Sequence, residues 1–534
     1  MNTSLSAIAA LVRSGGVERG WELFEEGGYG TRHDDSAALA VKGRLLKARA
    51  RLAAGALRLQ LLLEAANAYA RANQLTPAPY LAINAASLQY QAGNRAEAMR
   101  IASAVIDLLD GSDPPADTPY FLAATRAEAL LIQGKVHGAS RSMAEAVRHD
   151  PDGWDDRAAT LAQLREIVSA QGGSADWLLP FTPPASLHFA GHLGLSSGGR
   201  GERCLADQIE QFLQLHHFGF AWGALAAGCD IVIAEALLAR GVSVHAVLPC
   251  PVEAFATQSV APAGTDWLHR YHAVLERCAS VRNAGSCGVG AHDPLATAFA
   301  GELAIGGALL NARRYQTAVH QLIVFDEARG GKNTARQAEL WRAELGPQHY
   351  LVVERDAAVE VMFPDETPDP ARQLALHVAI GIDGLAGDGD RHSSVIAARS
   401  SAVVSGLADL PIGAVRAQPG LWEFSCTDHA RGLAAISSVL AASAASSEPR
   451  PAIGAHLGIA PIVRDPASGS LIAYGAAPTM ARRLMQFAPR GVALASDPLA
   501  VTLAARGEQA VKTELYLPDE PDLNGAAHLL LPLG

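Results

Sequence analysis

Three glycine-containing stretches hold the residue types that could grip a phosphate. They are Phe189-Ala190-Gly191-His192, the run Gly223 to Glu235 (GALAAGCDIVIAE) with Gly228 and Asp230 inside it, and Gly330-Gly331-Lys332-Asn333-Thr334. Each lies where an apolar strand-like run gives way to a helical one, so each reads as a turn at a strand's carboxyl end that opens a helix. At such a place the free N–H groups and the positive end of the helix dipole attract an anion. Lys332 adds a charge and Thr334 a hydroxyl. Glycine also makes tight turns for purely structural reasons, so one such stretch would say little, whereas three in this order say more. The candidate binding residues are Gly191, His192, Gly223, Gly228, Asp230, Glu235, Gly330, Gly331, Asn333 and Thr334.

The elements that must position them begin after Phe181-Thr182-Pro183-Pro184, where two prolines force an extended boundary. Apolar strands at Leu187–Ala190, Val244–Leu248, Leu322–Phe325 and Tyr350–Val353 alternate with helices, which predicts a mostly parallel sheet covered on both faces. Residues 184–355 resemble the SLOG superfamily, a Rossmann-like group that includes the LOG-type nucleotide hydrolases and nucleotide sensors, through the three stretches above. The resemblance implies a small nucleotide ligand. LOG hydrolases use Pro-Gly-Gly-x-Gly-Thr-x-x-Glu, whose glutamate assists cleavage of an N-glycosidic bond. Here Asn333 replaces the last glycine and Gln337 falls at the glutamate. An amide is neither acid nor base, so binding without hydrolysis is expected, with Glu235 and Glu339 as conceivable substitutes. Gly285 to Gly290 (GSCGVG) mimics a phosphate loop, but no clear strand precedes it.

Residues 373–534 resemble the class III adenylate and guanylate cyclase domain, with an α+β, ferredoxin-like fold. The resemblance is carried by the strand Leu376–Asp383 (LHVAIGID), the hairpin Gly413–Ser425, the stretch Ile453–Arg483, and Tyr474-Gly475 opening a helix from Pro478. It implies two metal-binding aspartates that hold Mg²⁺, since paired divalent ions activate the ribose hydroxyl and neutralise the leaving triphosphate. Asp383 matches the first. Pro419 stands at the second and offers no oxygen. Thr479 replaces the ribose-binding Asn, Val415 or a neighbour replaces the base-reading Lys, and Arg483 matches the transition-state arginine. A degenerate domain is therefore expected. Class III sites form between two domains, so homodimerisation through this region is expected as well. Read without the resemblance, Asp383 is a turn residue in the loop GIDGLAGDGDRH, whose Asp388, Asp390 and His392 belong to a solvated acidic turn. Arg483 then merely snorkels from an amphipathic helix.

Residues 1–173 are rich in Ala and Leu with helical periodicity. Gly93, Ala98 and Ala102 recur about forty residues later as Gly134, Ala139 and Met143, and Ala86 recurs as Ala127. This resembles tetratricopeptide (TPR-like) helical repeats, and Pro77–Gly93 resembles the TRAF-binding helical region of the apoptosis signal-regulating kinases. Both imply protein partners. The acidic, proline-rich stretch within 356–372 reads as a linker.

The whole chain of 534 residues carries 43 basic and 54 acidic side chains, net −11, which argues against a nucleic-acid partner. Six cysteines without a Cys-x-x-Cys pair suggest neither zinc knuckle nor disulfide framework. His216, His269, His272 and His320 lack i, i+4 ligand spacing and read as surface or core residues. The first residues read as a helix rather than a signal peptide, and Phe218–Leu238 as strand, turn and helix rather than a membrane span, so a cytoplasmic protein is expected. The combined expectation is a multidomain signalling or scaffold protein: all-α repeats, a nucleotide-binding α/β domain and a degenerate cyclase-like domain. The alternative is an active enzyme, either a cyclase completed by a partner domain or a nucleotide or NAD N-glycosidase.

Overall fold

The computed structural model describes residues 3–111, 116–285, 288–326, 332–356, 369–382, 393–407, 415–445, 450–466, 469, 471–516 and 527–532. Gly330, Gly331, Asp383, Asp388, Asp390, His392 and most of the 356–372 segment lie outside them. The chain divides into two compact units, residues 1–183 with the short pieces 314–316 and 515–524, and the remainder.

The described part of the first unit is built from α1 (Leu5–Arg13), α2 (Val17–Glu26), α3 (Ser36–Leu52), α4 (Gly55–Leu75), α5 (Pro79–Gln91), α6 (Arg95–Leu109), α7 (Pro119–Ile132), α8 (Val136–His149) and α9 (Trp154–Gln171). The pairs α5–α6 and α7–α8 repeat one hairpin. Gly93 (φ 89°) and Gly134 (φ 76°) make the two turns in the left-handed region that glycine alone enters freely. The recurring small residues Ala86, Ala98, Ala102, Ala127 and Ala139, with Met143, are all fully buried where the helices meet.

The second unit holds two sheets. The first consists of β1 (Ala185–Ala190), β2 (Phe218–Gly223), β3 (Ser243–Leu248), β4 (Ser280–Asn283), β5 (Val319–Phe325) and β6 (Gln348–Val352) in the order β4-β3-β2-β1-β5-β6, every adjacent pair parallel. Its helices are α10 (Arg200–Leu215), α11 (Cys229–Ala239), α12 (Val252–Phe255), α13 (Thr265–Leu275), α14 (Pro294–Tyr315) and α15 (Lys332–Leu340). The strand order reverses between β1 and β5, the place where open α/β sheets part their loops. β4 corrects one expectation, because a strand does precede Gly285. Its half-exposed Ser-Val-Arg-Asn sequence has a single apolar residue, so the edge strand left no hydrophobic signature.

The second sheet contains β7 (Arg372–Gly381), β8 (Arg416–Gln418), β9 (Leu421–Cys426), β10 (Ala452–Arg464), β11 (Leu471–Ala473), β12 (Ala493–Ser496), β13 (Val511–Tyr516) and β14 (Ala527–Pro532). The order is β13-β14-β12-β10-β7-β9-β8, with β11 hairpinned onto β10. The long β10 is antiparallel to β7 and parallel to β12. Helices α16 (Ser393–Leu407), α17 (His429–Ala444), α18 (Ala476–Phe487) and α19 (Asp497–Arg506) complete it. Helix α18 lies so close on β10 that a Cβ on Gly454 would overlap the Ala481 carbonyl oxygen.

Among the described residues, α14 is the one helix long and apolar enough to cross a membrane, and 72% of its apolar window is buried inside the protein. Its glycines explain this. A Cβ on Gly307 would press on the Trp222 ring of β2, and one on Gly306 would overlap the Val501 carbonyl oxygen of α19.

In the first unit a buried polar network joins four helices. Lys47 of α3 donates from Nζ to Asn84 Oδ1 of α5 at 3.2 Å and to Gln163 Oε1 of α9 at 2.6 Å. Gln163 Nε2 donates to Glu128 Oε1 of α7 at 2.7 Å, and Ser87 Oγ donates to the same carboxylate. Burial pushes the Lys47 ammonium down to about 8 and the Glu128 carboxyl up. A lysine depressed in the folded state binds fewer protons than in the unfolded chain between about pH 8 and its ordinary value. Stability therefore rises with pH across that window. Lys47→Met should remove this rise, on the order of 3 kcal/mol at full extent. Urea unfolding at pH 7.5 and pH 10 checks it, and equal slopes in both proteins would contradict the assignment.

Candidate ligand-binding cavity

A cavity of about 550 Å³ opens at the carboxyl ends of β1, β2 and β3, beside the reversal between β1 and β5. Its floor is set by Asp230, in the first turn of α11. One carboxylate oxygen accepts from Gly191 N–H at 2.8 Å and the other from Ala226 N–H at 3.2 Å. This single side chain shapes the turns after β1 and β2 together. Burial pushes its carboxyl up to about 7, against the pull of the two N–H groups. Gly191 is required at that contact, since a Cβ there would overlap the Cβ of Cys229. Gly228, with φ 104°, turns the chain into α11.

Facing this floor is the first turn of α15, with Lys332, Asn333 and Thr334 on the wall. Thr334 Oγ1 donates to the Gly191 carbonyl at 3.1 Å, closing the β1 turn from the other side. Arg336 and Arg355 also line the cavity. Arg355 is anchored by its own N–H, which donates to Asp326 at 2.9 Å, while its guanidinium Nε is buried without a partner among the described residues. Three cationic side chains thus line the cavity with one carboxylate, which is already engaged by backbone; Arg336 is paired with Glu302 outside the lining, which leaves Lys332 and Arg355. The balance favours an anion.

The sequence-predicted residues separate into groups. Gly191, His192, Asp230, Asn333 and Thr334 line the cavity. His192 acts structurally: Nε2 bonds the Val353 carbonyl at 2.7 Å and Nδ1 the Leu193 carbonyl at 2.9 Å. Gly223 is a packing residue, its missing Cβ leaving room for the Phe189 ring. Glu235 is a correction. Five residues beyond Asp230 it emerges about 140° around the helix, where it pairs with Arg270 at 2.8 and 2.5 Å rather than facing the cavity. Glu339 is exposed on α15 and outside the lining.

Gln337 does reach the cavity. Its Oε1 bonds Nε2 of buried His188 at 3.0 Å, and Gln321 Nε2 bonds the opposite ring nitrogen at 3.1 Å. A neutral ring that donates from Nε2 and accepts at Nδ1 satisfies both contacts, and burial holds His188 down to about 4. Arg336 and Arg355 went unmarked in the sequence. Arg336 lies four residues after Lys332 and so on the same helix face, a signal that was available. Arg355 follows the last strand, where no pattern distinguishes it.

The cavity wall is tied to the second sheet. Arg336 donates to Glu302 Oε1 of α14 at 3.2 Å, and Arg506, ending α19, donates to Oε2 at 2.9 Å. Arg506 also meets His429 Nδ1 at 2.6 Å.

In the second sheet Pro419 and Gly420 (φ 76°) form the β8–β9 turn, and neither offers a carboxylate. Thr479 Oγ1 donates back to the Gly475 carbonyl at 3.1 Å. Arg483 is exposed on α18, whereas its neighbour Arg482 pairs with Glu423 of β9. Val415 is exposed beside β8.

No family model and no curated protein matches the chain. Among solved structures it is similar to the guanylyl cyclase Cya2, at 11% identity over 30% of this chain and 91% of that one, TM-score 0.24. It is similar to the adenylyl cyclase CyaB from P. aeruginosa, at 11% identity over 30% and 95%, TM-score 0.25. It is also similar to adenylate cyclases from Trypanosoma brucei in their monomeric state, at 14% identity over 32% and 91%, TM-score 0.25.

Asp230 carries a pH signature. With a folded value near 7 and an unfolded one near 3.9, the folded state binds more protons between these limits, so stability falls as pH rises from about 4 to 7 and is level above. Asp230→Asn should remove this fall, on the order of 4 kcal/mol at full extent. It should also cost about 1–3 kcal/mol, because its NH₂ faces a backbone N–H. Urea unfolding at pH 5 and pH 7.5 tests both, and an unchanged pH slope would show that Asp230 is ionised throughout.

Proposed function

We propose that this protein is an intracellular signalling or scaffold protein that binds a phosphate-bearing, nucleotide-type ligand in the cavity of its SLOG-like domain. The observation that carries this reading is the cationic wall of Lys332, Arg336 and Arg355 around an α15 amino terminus, opposite a single committed carboxylate. Hydrolysis is disfavoured in the same cavity. Gln337 is an amide engaged with His188, Glu235 is paired with Arg270, and no carboxylate besides Asp230 is among the described lining residues. The TPR-like helices of the first unit serve protein partners.

The cyclase-like domain, in this reading, associates with a second copy instead of making a cyclic nucleotide. Pro419 gives no second metal ligand for Mg²⁺. Large apolar side chains are exposed on β10, on β11, in the loop after it and on α18: Val463 (40%), Leu471 (54%), Tyr474 (49%) and Met480 (37%). Val463 and Leu471 lie on opposite faces of the β10–β11 hairpin, and exposed apolar side chains of this size suit a protein contact.

Calorimetry with AMP, ATP, GTP, NAD and inorganic phosphate tests the cavity. At least one nucleotide should bind, and Lys332→Ala and Arg355→Ala should each weaken it about tenfold or more, the usual loss for one charged hydrogen bond. Failure of every probe to bind would overturn the reading. Sedimentation equilibrium tests association: a dimer should become monomeric in Leu471→Asp and Tyr474→Asp. Cyclic nucleotide formed from ATP or GTP with Mg²⁺ or Mn²⁺, and lost in Arg483→Ala, would replace this account with the cyclase one.

A further inference from the structure

At the opposite end of the first sheet three histidines converge. His216 caps the end of α10, His320 is the second residue of β5, and His349 is the second residue of β6. The register pairs Leu322 with His349, so His349 shares a sheet face with Leu322 and, by the two-residue alternation, with His320. The end of α10 lies over that face, where Phe212 and the capping His216 meet the His349 ring. One nitrogen from each ring lies within 4.8 Å of the other two, and His320 Nδ1 is 3.0 Å from His349 Nε2. Phe212 and Phe218 flank the rings, with centroids 4.8 Å from His216 and 5.3 Å from His320 respectively.

We propose that His216, His320 and His349 form a binding site for a divalent late transition ion, with Zn²⁺ as the natural occupant. Imidazole nitrogen is the ligand type such ions select. Tetrahedral Zn²⁺ with Zn–N near 2.0–2.1 Å places its ligand nitrogens roughly 3.4 Å apart, so side-chain rotations of about an ångström or less complete the set. All three residues are half-buried, which leaves the fourth position open to water or an incoming ligand. The ion would clamp the end of α10 to β5 and β6. The spacing i, i+4 misses this site because its ligands come from three separate elements that only the fold brings together. From His320 to Asp326, at the cavity end of the same strand, the rise is about 20 Å, so the site stands independently of the nucleotide reading.

The test uses the full chain purified without a histidine tag. Co²⁺ titration should give the intense visible absorption of a four-coordinate ion at one equivalent, and Zn²⁺ should displace it. His320→Gln and His349→Gln should each weaken Zn²⁺ at least tenfold in competition with a chromophoric chelator, while His269→Gln and His272→Gln, at exposed positions on α13, should not. Zn²⁺ should raise the melting temperature of the wild type but not of the His320→Gln protein, whose fold is checked by circular dichroism. No stoichiometric uptake by the wild type, or equal affinity in both sets of variants, would overturn the site.

Discussion

The second unit depends on how closely α14 can approach its two neighbours. A helix wedged between β2 of one sheet and α19 of the next can carry almost no side chain on either contact, and Gly306 and Gly307 meet that demand in consecutive residues. One turn earlier the same helix carries Glu302, whose buried carboxylate takes an arginine from each side, Arg336 and Arg506. Close packing brings the layers within reach, and Glu302 fixes their register. A carboxylate this buried is stable only while paired, since losing one partner leaves a charge without compensation.

This arrangement gives the cavity a mechanical link. Arg336 belongs to the cavity lining and to the Glu302 pair. Glu302 also takes Arg506, and Arg506 contacts His429 at the start of α17. A second ion pair, Arg282 of β4 with Asp497 of α19, joins the layers elsewhere. Burial works to raise the Asp497 carboxyl, but His528 and Arg282 more than offset it and hold it below the usual range. The two pairs differ in kind. Asp497 is held by Arg282 and His528, neither of which lines the cavity, while Glu302 shares Arg336 with the lining.

Much of the fold was legible in the sequence because its determinants are periodic. The repeated Gly93 and Gly134 turns and the apolar strands of the first sheet follow from local pattern, whereas the β8–β9 hairpin was expected only from the resemblance to the cyclase domain. Arg-containing β4 was not legible, since an edge strand needs no hydrophobic alternation to pair. The role of α14 was hidden for a related reason: its glycines look like poor helix formers until a neighbour's carbonyl oxygen is placed against them.

The site was legible to the extent that backbone dictated it. Gly191 and Asp230 stand where sequence reasoning put them because a tight turn needs both a missing Cβ and an acceptor for its N–H groups. Glu235 sits on the helix that the stretch was expected to open, but five residues beyond Asp230 it emerges on another face of α11, where Arg270 pairs with it. Three-dimensional convergence was least visible of all. Arg355 comes to the cavity from beyond β6, and His216 meets His320 and His349 from more than a hundred positions away, and no linear spacing encodes that. Local sequence marked the turns and Lys332, and the fold added Arg336 and Arg355 beside them.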